Sequence, residues 1–422
     1  MPIFIILLIA GAFAYVFMRY VYYKNVELFI CLVVVINFDF FYLLPPVGGF
    51  YSYGIVLLPV FAFLLIEQLI RGRIRINGLG VLVLFYVFLL IVDIVMAFSN
   101  GQPILLGIKA IKYQILILVF FVIASQDVVL DKFLRYFIFF TVGFMLLADI
   151  DTTFFNGELI FARGYDRFMG ERLDKTRFVL GATMISISCV MAFASFLRKK
   201  SKIYGVLSLI FFVHIVLVIQ TRMTIVGIIV TCALLFAIVR KLSPSGMFVM
   251  VFLVALSIPC VMLFGNFFNE IDLVKKTRTD IQNKTGSWEG RLNSYKYYWG
   301  KIADAPFFGY GCENLNWEKS PEPQLRARGI FKSDIGISHF FYENGLLGLM
   351  WFIALTVALV KRVWPLKQHI PEITAYFILS YAVLITLDYF FRRYNILLFG
   401  IFLGLLSQYS NFQKKDLDLQ TG

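Results

Sequence analysis

An all-α polytopic membrane protein is the fold class this sequence predicts, and three observations predict it. Apolar stretches of span length recur along the whole chain, as a hydrocarbon core of roughly 30 Å demands of helices. The composition is 60% hydrophobic and 18% aromatic with 15% charged residues, and the mean hydropathy is +0.81, which excludes an ordinary soluble enzyme and a disordered chain. Short basic segments punctuate the apolar ones, as cytoplasmic loops do. A membrane β-barrel would instead show alternating segments of about ten residues.

Taken in order, the spans read as 2–18, 26–44, 51–70, 79–98, 106–124, 133–150, 178–197, 203–220, 223–239, 246–264, 342–360, 373–390 and 394–410. That is about thirteen, within a range of about twelve to fourteen. The first lacks the basic start and small-residue cleavage site of a signal peptide, so it reads as a span. Arg71, Arg73 and Arg75, then Arg198, Lys199, Lys200 and Lys202, Arg240 and Lys241, Lys361, Arg362 and Lys367, and Lys414 and Lys415 all fall on one side. The positive-inside rule makes that side cytoplasmic. Residues 1–264 are then transmembrane helices with a shorter external loop near 151–177, and 265–341 form a large external loop. Residues 342–410 are C-terminal spans, and 411–422 a cytoplasmic tail.

Several chemistries find no support in the sequence. Cys31, Cys189, Cys232 and Cys260 lie inside spans and Cys312 alone outside them, so no external disulfide pair exists. There is no CxxC, no HExxH and no His/Cys cluster to suggest a metal, and no P-loop. No cofactor, metal or nucleic-acid partner is expected. The net charge of +13 extends into the external loops. Either it carries no meaning there, since long loops escape the positive-inside rule, or it attracts an anionic lipid-linked substrate.

The polar stretch from Trp288 to Trp351 is the place to seek chemistry. Of three histidines, His214 lies mid-span, His369 is cytoplasmic, and His339 alone is external, just before a span. A neutral imidazole there can take a proton from an attacking hydroxyl; the plain alternative is an interfacial His without a role. Arg222, in IVLVIQTRMTIVGIIV, stands at a short turn between two apolar helices. Its planar fork matches two phosphate oxygens, and phosphate binding is favoured over mere snorkelling. Arg291 opens GRLNSYKYYWGKIADAPFFGYG, whose spacing reads as an amphipathic helix ending before Pro306. It is either a phosphate ligand or a solvated surface Arg. Gly309 and Gly311 suit a tight turn.

Arg172, with Lys175 and Arg177, precedes a span and is a possible substrate contact, but nearby Asp166, Glu171 and Asp174 favour local ion pairs. Lys109 and Lys112 share a helical face near an external span end, and Lys112 is a second possible substrate contact. Interhelical pairing of Lys112 with Asp93 is the more expected use.

Together, QTRMTIVGIIV, GRLNSYKYYWGKIADAPFFGYG and SHFFYENGLLGL resemble the O-antigen ligase and polymerase superfamily, polytopic GT-C-like glycosyltransferases that use sugars on undecaprenyl diphosphate. ERLDKTRFVLGA is similar to an Arg-containing segment of that family, and the resemblance covers about residues 160–355. It implies that His339 is the catalytic base and that Arg222 and Arg291 engage the donor diphosphate; Arg172 and Lys112 remain possible substrate contacts on the reading of the residues given above. It also implies lipid-linked glycan donor and acceptor, membrane lipid as surroundings and a chain-length regulator as a partner. The setting would be a bacterial inner membrane with the site facing the periplasm. Phe340 stands where ligases carry Asn after the His, and Thr221-Arg222-Met223 replaces Ser-Arg-Gly. The run SDIGISHFFYENGLLG resembles the loop ending of polysaccharide polymerases. The expectation is therefore a polymerase acting by metal-independent, inverting transfer, with O-antigen ligase as the alternative. A transporter for lipid-linked sugars is a third reading, weakened because the polar residues gather at one face and no repeat is seen.

Overall fold

The computed structural model describes residues 15–38, 56–74, 76–154, 169–172, 175–178, 181–219, 221–240, 287–385 and 393–421. Helices α1 (residues 15–24), α2 (Val26–Asn37) and α3 (Leu57–Ile70) lead to α4 (Gly78–Ser99) and α5 (Ile104–Ile111). A 3-10 stretch (Gln114–Leu118) runs into α6 (Val119–Ala124), followed by α7 (Leu130–Phe154). Strands β1 (Met169–Arg172) and β2 (Lys175–Phe178) form an antiparallel hairpin that the spacing did not foreshadow. Then come α8 (Ala182–Lys199), α9 (Lys202–His214, continued by a π-helical turn Ile215–Ile219) and α10 (Arg222–Val239). Helices α11 (Ser287–Asp304) and α12 (Glu322–Ala327) lie between α10 and the last three, α13 (Ile337–Leu366), α14 (Pro371–Leu384) and α15 (Arg393–Thr421).

The protein is an all-α polytopic membrane protein in this architecture. Among the described residues five helices are long and apolar enough to span a bilayer, six when the bent pair around Lys112 counts as one. Five shorter apolar helices accompany them. The expected span 246–264 and residues 2–14 of the first one lie outside the described residues. The expected span 106–124 is bent by 48°. The break coincides with the polar run Lys112-Tyr113-Gln114, and Gln114 leaves the helical pattern to accept from Tyr86 Oη at 3.2 Å.

The bundle has two chemically different ends. At one, Arg198 at the end of α8 meets Glu372 at the start of α14, Nε to Oε1 at 2.9 Å, and Asp131 at the start of α7. A Cβ at Gly78, where α4 begins, would lie 3.4 Å from Arg362 near the end of α13. So α4 and α13 run antiparallel from there, joined midway by Trp351 Nε1 donating to the Leu82 carbonyl at 2.8 Å. At their other end lies the segment 287–336, with its own small core of Tyr298, Leu325, Ile335 and Tyr342.

Candidate functional site

Helix α13 is broken at Gly345, whose φ of 57° and ψ of −149° lie in a region essentially confined to glycine. The break is spliced by the turn 306–311. In an unbroken helix the amides of Leu346 and Leu347 would bond the carbonyls of Tyr342 and Glu343. Here they donate to Pro306 O at 2.7 Å and Phe307 O at 3.2 Å instead. The freed carbonyls of Tyr342 and Glu343 accept from the amides of Tyr310 and Gly311, each at 2.9 Å. Two helical hydrogen bonds become four tertiary ones, which meets the demand that no backbone group at membrane level be left unsatisfied. Gly311, at φ 75°, fits because a Cβ would lie 2.2 Å from the Asp93 carbonyl of α4.

The short half-helix before the break carries the charged groups. His339 Nε2 lies 3.0 Å from Glu343 Oε1, one turn on along the same face. Lys332 Nζ lies 3.3 Å from that same oxygen and 3.8 Å from both Glu313 Oε2 and Glu322 Oε2. Glu313 also accepts from Ser320 Oγ. Lys332 and Glu343 are buried and His339 nearly so. Burial opposes the charge on Lys332, yet Glu343, Glu322 and Glu313 outweigh it and hold the ammonium above its ordinary value. Asp93 is buried beside them, within the electrostatic reach of Glu343, His339 and Lys332. Its Oδ1 has no hydrogen-bond partner among the described residues.

The arrangement gives the imidazole a defined tautomer. A carboxylate accepting from Nε2–H leaves the lone pair on Nδ1, the disposition of a general base oriented by an acid. Lys332 compensates the charge of that acid. Among the described residues no group of three or more His, Cys, Asp or Glu side chains is arranged to hold a metal ion. The converging carboxylates are met by an ammonium.

The other predicted residues fall as follows. Arg291 lies on α11 one turn before Tyr295, whose hydroxyl donates to the Ile385 carbonyl at 3.3 Å. Its buried Nε has no hydrogen-bond partner among the described residues. Arg222 is the first residue of α10, with Thr221 as its N-cap. The preceding π-helical turn ends at Ile219, so only a short connection separates the two helices, as expected, and a helix start is where backbone amides favour an anion. Arg172 is in β1 opposite Lys175. Lys112 ends α5 and lies over the Tyr113 ring at 4.9 Å. The expected Asp93–Lys112 pair does not form: Asp93 is buried within the electrostatic reach of Glu343, His339 and Lys332, and Lys112 lies at the 48° bend that follows α5. Cys312, read as external, is buried, and burial raises its thiol pKa. Phe340, in the ligase-Asn position, is buried against Trp351 with ring centroids 5.4 Å apart.

Sequence reading missed Glu343 and Lys332. The four-residue spacing from His339 to Glu343 was a signal that could have found the first; only the tertiary fold brings Lys332 in. His214, read as a mid-span residue, pairs through Nδ1 with Asp149 Oδ1 at 3.2 Å.

Residues 207–353 match the family model described as O-antigen ligase. The matched stretch runs from α9 through the break in α13 and so contains Arg222, Arg291, Lys332, His339 and Glu343. No curated protein matches the chain significantly. The chain is thus similar, over its central portion, to proteins of the O-antigen ligase and polymerase superfamily.

Proposed function

We propose that this protein is a membrane glycosyltransferase of the polymerase type. It moves a growing glycan from undecaprenyl diphosphate onto a lipid-linked repeat unit at the periplasmic face of a bacterial inner membrane. The observation that carries the reading is the His339–Glu343 pair at 3.0 Å, set in the stretch similar to O-antigen ligases. His339 Nδ1 takes the proton of the acceptor hydroxyl as its oxygen attacks the anomeric carbon of the donor sugar. The bond from that carbon to the diphosphate oxygen breaks, and the diphosphate departs with the electron pair. Arg222 and Arg291 meet the charge that develops on it, and the orphaned Nε of Arg291 fits such a partner. Attack opposite the leaving group inverts the anomeric centre. Glu343 stabilises the imidazolium formed meanwhile.

The description of the matched family favours one second reading, a ligase that moves the finished glycan onto lipid A-core with the same chemistry. The acceptor separates them. Purified protein given only lipid-linked repeat units should form a ladder of longer lipid-linked chains. Product that forms only when lipid A-core is added would assign the ligase, and no transfer with either acceptor would overturn both.

A further inference from the structure

We propose that the cavity beside the 306–311 turn is a sugar subsite that holds the acceptor glycan; this rests on the glycosyl-transfer reading above. The cavity has a volume of about 300 Å³ and lies between the end of α4, helix α11, the turn and the start of α13. That is the low end of ligand-sized pockets, roughly 300–1,000 Å³. Tyr297, Tyr310 and Trp317 line it, together with Asn100, Lys301 and Glu313. All three rings are only partly buried. Such a lining matches a pyranose, which offers an apolar C–H face to aromatic rings and a rim of hydroxyls to donors and acceptors at once.

The two tyrosine rings are held before any ligand arrives. Tyr310 stacks on Tyr342 at 5.0 Å and 15°, Tyr342 meets Tyr298 edge-on at 5.0 Å, and Tyr298 meets Tyr297 at 5.1 Å and 90°. Asn100 Nδ2 donates to the Tyr310 carbonyl at 3.0 Å, which fixes the turn to α4. Preformed rings lower the ordering cost of binding a flexible oligosaccharide.

Position assigns the acceptor rather than the diphosphate to this cavity. Glu313 in its wall reaches Lys332 at 3.8 Å, Lys332 reaches Glu343, and Glu343 holds His339. Tyr342, also in the wall, is three residues beyond His339. The hydroxyl to be deprotonated belongs to the sugar nearest that base. Arg291 and Lys301 are ten residues apart on α11, about 15 Å along the helix, so the diphosphate end and the cavity end are separate places.

The test uses full-length protein in detergent and, as probe, lipid-free repeat-unit oligosaccharide released by mild acid from the host's own surface glycan. Calorimetry should show binding that inorganic diphosphate does not displace. Trp317→Ala and Tyr297→Ala should weaken it roughly three- to tenfold and raise the KM for the lipid-linked acceptor to match, with kcat within about twofold, while Trp317→Phe restores most of both. His339→Ala should bind the probe as the unaltered protein does while losing transfer. Unchanged binding and KM in both alanine variants, with transfer intact, would overturn the subsite and leave the proposed function standing. Displacement of the probe by diphosphate would also overturn it. Probe binding that depends on Trp317 in a protein that transfers no glycan would overturn the proposed function and leave the sugar site standing.

Discussion

His339 is useful as a base only if its ring is held, and what holds it is a carboxylate that burial alone would discourage. Glu343 is buried, and an isolated carboxylate there would be costly; Lys332 at 3.3 Å removes the objection. His339→Ala should therefore abolish elongation, a loss of about a hundred- to ten-thousand-fold, at unchanged membrane abundance. Glu343→Gln keeps an acceptor for Nε2–H but loses the charge that stabilises the imidazolium, so kcat should fall by a smaller factor, about ten- to a hundredfold. The pH dependence has a definite sign. The Lys332 pKa is raised above its ordinary 10.5, so its contribution is complete below that value and is lost only as pH rises beyond it. Loss of activity as pH falls is then not due to Lys332, and if His339 is the base that loss should be missing from the residual activity of His339→Ala. Near-normal long glycan from that variant would sink the base assignment. For the arginines the discriminating change is to lysine. Arg222→Lys and Arg291→Lys keep the charge but lose the two-pronged geometry, so each should lose most activity. Normal elongation by both would return these residues to packing or solubility.

At the scale of elements, the splice between the 306–311 turn and α13 fixes the half-helix that carries His339 and Glu343. Gly345→Ala tests it directly. The backbone conformation disfavours any side chain, and a Cβ would lie 2.6 Å from the Phe307 carbonyl carbon. Strain of about 1–3 kcal/mol plus that clash should open the splice, measurable as a lower midpoint of thermal unfolding and loss of transfer together. Full activity and unchanged stability would show that the break is incidental. The parts of this device were legible one at a time. The helix from Arg291 that ends before Pro306, the glycine turn and the short turn before Arg222 all follow from local residue chemistry, and all are present. Their meeting was not legible. A hydropathy pattern starts α13 near Tyr342, because Ser338, His339, Glu343 and Asn344 are polar, yet the helix begins at Ile337. Those polar residues are accommodated because the segment 287–336 packs beside them, with Lys332 on Glu343. The Asp93–Lys112 expectation failed for the same reason: it weighed two charges by depth alone, whereas the bend after Ile111 and the packing of Gly311 on Asp93 decide the partners.

At the scale of the whole molecule, loop composition pointed to basic residues at one end of the bundle, where Arg198 meets Glu372 and Arg362 lies beside Gly78. What composition could not reveal is that the opposite end holds acidic residues that converge. Glu313, Glu322 and Glu343 surround one point, and oxygen ligands so gathered are what a divalent cation requires. The point is already occupied by the Lys332 ammonium, at 3.3 to 3.8 Å from each carboxylate, and Arg326 further neutralises Glu322 through Oε1 at 2.6 Å. The positive charge is thus part of the chain and no chelator can remove it. In the proposed reaction the energy for transfer resides in the sugar–diphosphate linkage, and nucleotide has no step to serve. Elongation from lipid-linked repeat units should therefore proceed at an undiminished rate in EDTA and without nucleotide. Polymer that disappears with EDTA and returns with magnesium would mean that a metal ion, rather than the Arg222 and Arg291 guanidinium groups, meets the departing diphosphate.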